Sequence, residues 1–157
     1  MKIRRSLFLV VVTATAVSLA SIAASAVAAQ TPFKGTVNAD ETVVPSPPTA
    51  SLTRDGTGTA TYLGRYTEHI VMTIHLPTLS STGISTFTAA NGDTLTATVL
   101  GQAAPTTTPG VLSIVEDYTI TGGTGRFADA TGTFRLESTV NQATGVSSGT
   151  FSGTVDH

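Results

Sequence analysis

The strict two-residue alternation in Arg65 to Leu76 most constrains what this chain can fold into. Tyr66, Glu68, Ile70, Met72, Ile74 and Leu76 fall on one side of an extended backbone, and Thr67, His69, Val71, Thr73 and His75 on the other. No long stretch shows the 3.6-residue spacing of a helix. Short β-rich runs alternate instead with turn signals, which predicts an all-β domain. Candidate strands are Phe33 to Val37, Thr57 to Leu63, Arg65 to Leu76, Ile84 to Ala90, Thr94 to Leu100, Val111 to Thr121, Thr131 to Val140 and Gly145 to Val155. Pro45-Ser46-Pro47-Pro48 separates the first from the second, because proline cannot donate to a ladder. Asn91-Gly92 marks a hairpin, since both residues tolerate positive φ. Ala103 to Gly110, with its Pro and Thr residues, reads as a loop. Eight strands joined mostly by short connections predict an antiparallel meander closed into a barrel, with a β-sandwich as the alternative.

A Gly-Thr-apolar element recurs at Gly35-Thr36-Val37, Gly58-Thr59-Ala60, Gly132-Thr133-Phe134, Gly149-Thr150-Phe151 and Gly153-Thr154-Val155. Its irregular spacing excludes a solenoid repeat. It reads as strands with Thr outward and small or aromatic residues inward, which lets a barrel close where its interior narrows. The chain holds 31 Thr, 14 Ser and 15 Gly among 157 residues, and no Cys or Trp. Without Cys there is no disulfide scaffold, thiol chemistry, iron–sulfur site or lipid-attachment cysteine.

Lys2, Arg4 and Arg5 precede an uncharged, largely apolar run from Leu7 to Ala29. Small residues at Ala26-Val27-Ala28-Ala29 complete the pattern of a signal peptide cleaved after Ala29. That predicts secretion, extracellular or periplasmic, of a single domain over residues 30–157, with no membrane span after cleavage. The mature part keeps five Lys and Arg against ten Asp and Glu, a net charge of −5 with His neutral. Such a balance disfavours nucleic acid as a partner.

The inward face of Arg65 to Leu76 carries Tyr66 and Glu68. In Val111 to Thr121, Leu112, Ile114, Glu116, Tyr118 and Ile120 share a face, so a second carboxylate falls beside a second Tyr. A buried carboxylate finds donors or raises its pKa. Tyr66, Tyr118 and Arg65 are the donors the sequence offers. Tyr66, Glu68, Met72, Glu116 and Tyr118 are therefore the candidate ligand-binding residues, with Glu68 and Glu116 as candidate acid–base groups. A purely structural hydrogen-bond network fits the same residues. His69 and His75 lie outward and roughly 20 Å apart along the strand, too far to share a metal. No metal or cofactor is expected. Gly122-Gly123-Thr124-Gly125 lacks the following helix of a phosphate loop and reads as a tight turn.

Three stretches together carry a resemblance: Leu63-Gly64-Arg65-Tyr66-Thr67, Phe87-Thr88-Ala89-Ala90-Asn91-Gly92-Asp93-Thr94-Leu95, and Thr121 to Gly132. In this order they resemble a group of small exported bacterial proteins of largely unknown function. The Gly-Gly-Thr-Gly-Arg-Phe-Ala turn is similar to that of the allene oxide cyclase and dirigent barrels. Those eight-stranded barrels bind apolar small molecules, and many are dimeric or trimeric. The resemblance implies a barrel and leaves a homo-oligomer open; no catalytic residue carries over. Three functions fit: a binder of a small apolar molecule, an isomerase, cyclase or dirigent-like protein acting on one, and a surface protein with a packed barrel.

Overall fold

A computed structural model describes residues 30–156. The predicted signal segment and His157 lie outside the described residues. The described chain forms eight strands in one sheet: β1 (Thr31–Ser46), β2 (Thr49–Ala60), β3 (Gly64–His75), β4 (Ser80–Ala89), β5 (Thr94–Pro105), β6 (Val111–Gly123), β7 (Thr131–Asn141) and β8 (Val146–Asp156). Each pairs antiparallel with the next, and β8 returns to β1 from Thr31↔Val155 to Asp40↔Val146. The result is the closed barrel rather than the sandwich. Among the described residues no helix is long and apolar enough to cross a membrane.

The alternation seen in the sequence sets the faces. In β3, Tyr66, Glu68, Ile70 and Met72 are buried while Thr67, His69, Val71, Thr73 and His75 are exposed. In β6, Glu116, Tyr118 and Ile120 are buried and Asp117 and Thr119 exposed.

Several strands extend beyond the bounds the sequence suggests. β1 runs past Val37 to Ser46, and β2 begins at Thr49 rather than Thr57. The reason lies in the pairing. Above Asp40, β1 has lost its β8 neighbour and pairs only with β2. Pro45 opposite Ala50 thus sits on a free edge, where its missing N–H costs no ladder bond. Pro47 and Pro48 form the two-residue turn of the hairpin. The strand β5 likewise continues to Pro105, shortening the expected loop to residues 106–110.

The interior has two unlike halves. At the end holding the β2–β3, β4–β5 and β6–β7 connections, aromatic rings fill the space. Phe134 stacks on Tyr118 with centroids 4.3 Å apart, and contacts Phe33 and Phe151 at 5.1 and 5.0 Å. Tyr66 meets Phe87 edge-on at 5.3 Å. Buried Leu63 and Phe127, the latter on a short 3-10 turn (Gly125–Phe127), close this end. Gly122 and Gly125 there have φ of 129° and 56°, as a tight glycine turn requires.

Inward glycines make room for these rings. A Cβ on Gly58 would lie 2.7 Å from Tyr66 Oη and would collide with the Thr36 carbonyl. That carbonyl accepts a 2.8 Å hydrogen bond from Tyr66 Oη. Gly58→Ala is expected to lower unfolding free energy by about 1–3 kcal/mol through overpacking. Thr59→Ala, on the exposed outer face beside it, should shift the urea midpoint far less. Equal midpoints for the two variants would contradict this account of the packed end.

Candidate functional site

Between the packed aromatic half and the opposite end lies a layer of buried charge. Arg54, on the inward face of β2, is 1% exposed. Its Nη1 and Nη2 donate to the two oxygens of Glu116 at 3.2 and 3.0 Å. Nη2 also donates to Glu68 Oε1 at 3.3 Å and to Tyr118 Oη at 2.6 Å. The Tyr118 hydroxyl in turn donates to Glu116 Oε2 at 2.8 Å, and Ser85 Oγ donates to Glu68 Oε1 at 2.9 Å. A third carboxylate, Glu41 of β1, places Oε1 3.8 Å from Arg54 Nη1. Glu68 and Glu116 are as buried as the surrounding core.

The sequence placed Glu68, Glu116 and Tyr118 together, and the structure joins them in one network. The cation that holds them is Arg54 and not Arg65, which is exposed on the outer face. Tyr66 lies at the packed end, bonded to the Thr36 carbonyl. Arg54 and Glu41 both fall in strand segments beyond the candidate strands Phe33 to Val37 and Thr57 to Leu63. Period-2 counting back from Gly58 and forward from Val37 puts both inward once the strands are extended.

Electrostatics follows from this arrangement. Burial works against the Arg54 charge, but Tyr118, Glu116 and Glu68 outweigh it and hold the guanidinium firmly protonated. Burial and the neighbouring carboxylates push the Tyr118 phenol well above its ordinary value. Tyr66 is raised too, by burial first and then by the Glu68 charge. Burial also pushes the Glu41 carboxyl up. Arg54 and the Ser147 hydroxyl pull it down, while Glu116 and Glu68 add to the rise. By contrast, His69 pairs with Asp55 at 2.7 Å and Arg135 with Asp117 at 2.8 Å on the exposed outer face.

Beyond the charged layer the barrel is open. A cavity of about 510 Å³ occupies this end. Its wall is apolar: Leu52, Met72, Ile74, Ala103, Leu112, Ile114 and Val140 from the strands, with Leu76 and Leu79 from the β3–β4 turn. Its polar lining includes Glu41, Glu116 and Ser81, with Gln142 and Thr144 at the β7–β8 turn. Met72 and Glu116 of the sequence candidates therefore line the cavity. Glu68 and Tyr118 are bonded to Arg54 without lining it. Among the described residues no group of His, Cys, Asp and Glu is arranged to hold a metal ion.

The raised Glu41 carboxyl has a consequence for stability. Its folded-state pKa lies above the unfolded value near 4.5, so the folded state binds its proton more tightly. This contribution is fully present below 4.5 and is lost as pH rises through the folded-state value. The charged groups facing Glu41 are Arg54, Glu68 and Glu116. Glu41→Gln keeps them and removes the titration. The thermal midpoint of the variant minus that of the unaltered protein should be small at acid pH and grow as pH rises toward neutrality. A difference that stays constant with pH would contradict the burial of an ionisable Glu41.

Compared with protein families, curated proteins and solved structures, the chain gives no match.

Proposed function

We propose that this barrel binds a small, largely apolar molecule in its open half. The observation that carries the reading is the cavity of about 510 Å³, walled by aliphatic side chains and floored by carboxylates. That volume and that mix of apolar wall with few polar groups are typical of small-molecule sites. The opposite half is packed with rings, so a barrel of purely structural purpose would be expected to fill both ends. The resemblance of the Gly122 to Ala128 turn to the allene oxide cyclase and dirigent barrels supports the same reading. Export to the extracellular or periplasmic space remains part of the proposal, on the signal-like segment before Gln30.

A second reading, isomerase or cyclase chemistry, draws on Glu41. A carboxyl pushed up by burial and lining an apolar cavity is suited to donate a proton. Glu68 and Glu116 are less suited, because both are committed to Arg54.

N-phenyl-1-naphthylamine, an apolar dye neutral at pH 7, tests the binding reading by its fluorescence. Saturable binding with a blue-shifted emission is expected. Ala103→Trp places an indole in the cavity and should weaken that binding by about tenfold or more. Absence of saturable binding, or equal binding by the variant, would overturn the reading.

A further inference from the structure

The charges around the cavity floor do not balance. Three carboxylates, Glu41, Glu68 and Glu116, share one guanidinium. Arg54 spends its bonds on Glu116, Glu68 and Tyr118. Glu41 is left over. At 3.8 Å its Oε1 is beyond hydrogen-bond reach of Arg54 Nη1, and no other protein group bonds that oxygen. The Glu41 side chain is nevertheless only 4% exposed. An acceptor shut off from bulk water and left unpaired costs about 1–3 kcal/mol, and more when charged. This buried carboxylate, with one oxygen unpaired, lines the cavity together with Glu116.

Resting on the reading of the cavity as a binding site, we propose that its ligand carries a protonated amine on an apolar body, with the ammonium N–H donating to the Glu41 carboxylate. The aliphatic wall takes the body. The head supplies what the floor lacks, a further donor for the Glu41 carboxylate and a positive charge against the surplus of carboxylates. An alcohol could donate the hydrogen bond but would leave the charge unbalanced. A carboxylate or phosphate head would meet like charge in a site of low dielectric, which is unfavourable. Binding an ammonium would also favour the ionised form of Glu41, so association should release a proton where that carboxyl is protonated beforehand.

The test is calorimetric titration of the folded protein with three probes of one chain length, n-octylamine, 1-octanol and octanoate, at pH 7. Octylamine is expected to bind about tenfold tighter than octanol, with octanoate weakest. In Glu41→Gln the advantage of amine over alcohol should fall to about one. Ala103→Trp should weaken binding of all three. Octanol binding as tightly as octylamine, or an amine advantage that survives in Glu41→Gln, would overturn the head-group assignment. If the naphthylamine dye still binds in that case, the cavity remains a binding site and only the amine is wrong. If neither the dye nor any octyl probe binds, the site and its head-group preference fall together.

Discussion

A single guanidinium organises the interior of this barrel. Arg54 bonds Glu116 through both terminal nitrogens, reaches Glu68 and Tyr118 through one of them, and lies near Glu41. Those partners come from β1, β3 and β6, and Arg54 itself from β2, so the network ties strands that are not neighbours in the sheet. Removing charges from water is costly, and only close geometry with further hydrogen bonds offsets that cost. Tyr118 and Ser85 supply those bonds. The layer also divides the barrel. On one side six strands converge their rings into a packed core; on the other the walls stand apart.

The division accounts for how the rest of the sequence is used. Glycines face inward at the packed end because the rings of Tyr66, Phe134 and Phe151 need the volume that a Cβ would take. At the open end the inward residues are Leu, Ile, Met, Val and Ala, whose side chains coat the wall without meeting in the middle. Outside, Thr dominates the exposed positions, which suits a pleated surface with few charges. The absence of cross-links throws stability on to strand pairing around the full circumference, and β1 with β8 completes it.

Much of this was legible in the sequence. The number of strands, the closed meander and the inward faces of β3 and β6 follow from period-2 patterning, because those strands carry long apolar sides bounded by clear turns. So does the meeting of Glu68, Glu116 and Tyr118. What escaped was the upper half of the first hairpin. Pro45, Pro47 and Pro48 read as an interruption. In the structure Pro45 is harmless on an unpaired edge, and Gly56 lets Val37 and Ala39 approach the backbone closely. That depends on which strands lie alongside, and local sequence does not carry it. Arg54 and Glu41 were lost with that segment, and with them the cation of the network and the carboxylate of the cavity.

The most direct test of this account is equilibrium unfolding of Arg54→Met beside Arg135→Met. The first removes the only cation from a buried cluster, leaving Glu68 and Glu116 uncompensated, and should cost about 3–5 kcal/mol. The second removes an exposed pair with Asp117 and should leave the denaturant midpoint nearly unchanged. A barrel that tolerates Arg54→Met as readily as Arg135→Met would show that the buried charge layer is not what holds the two halves together.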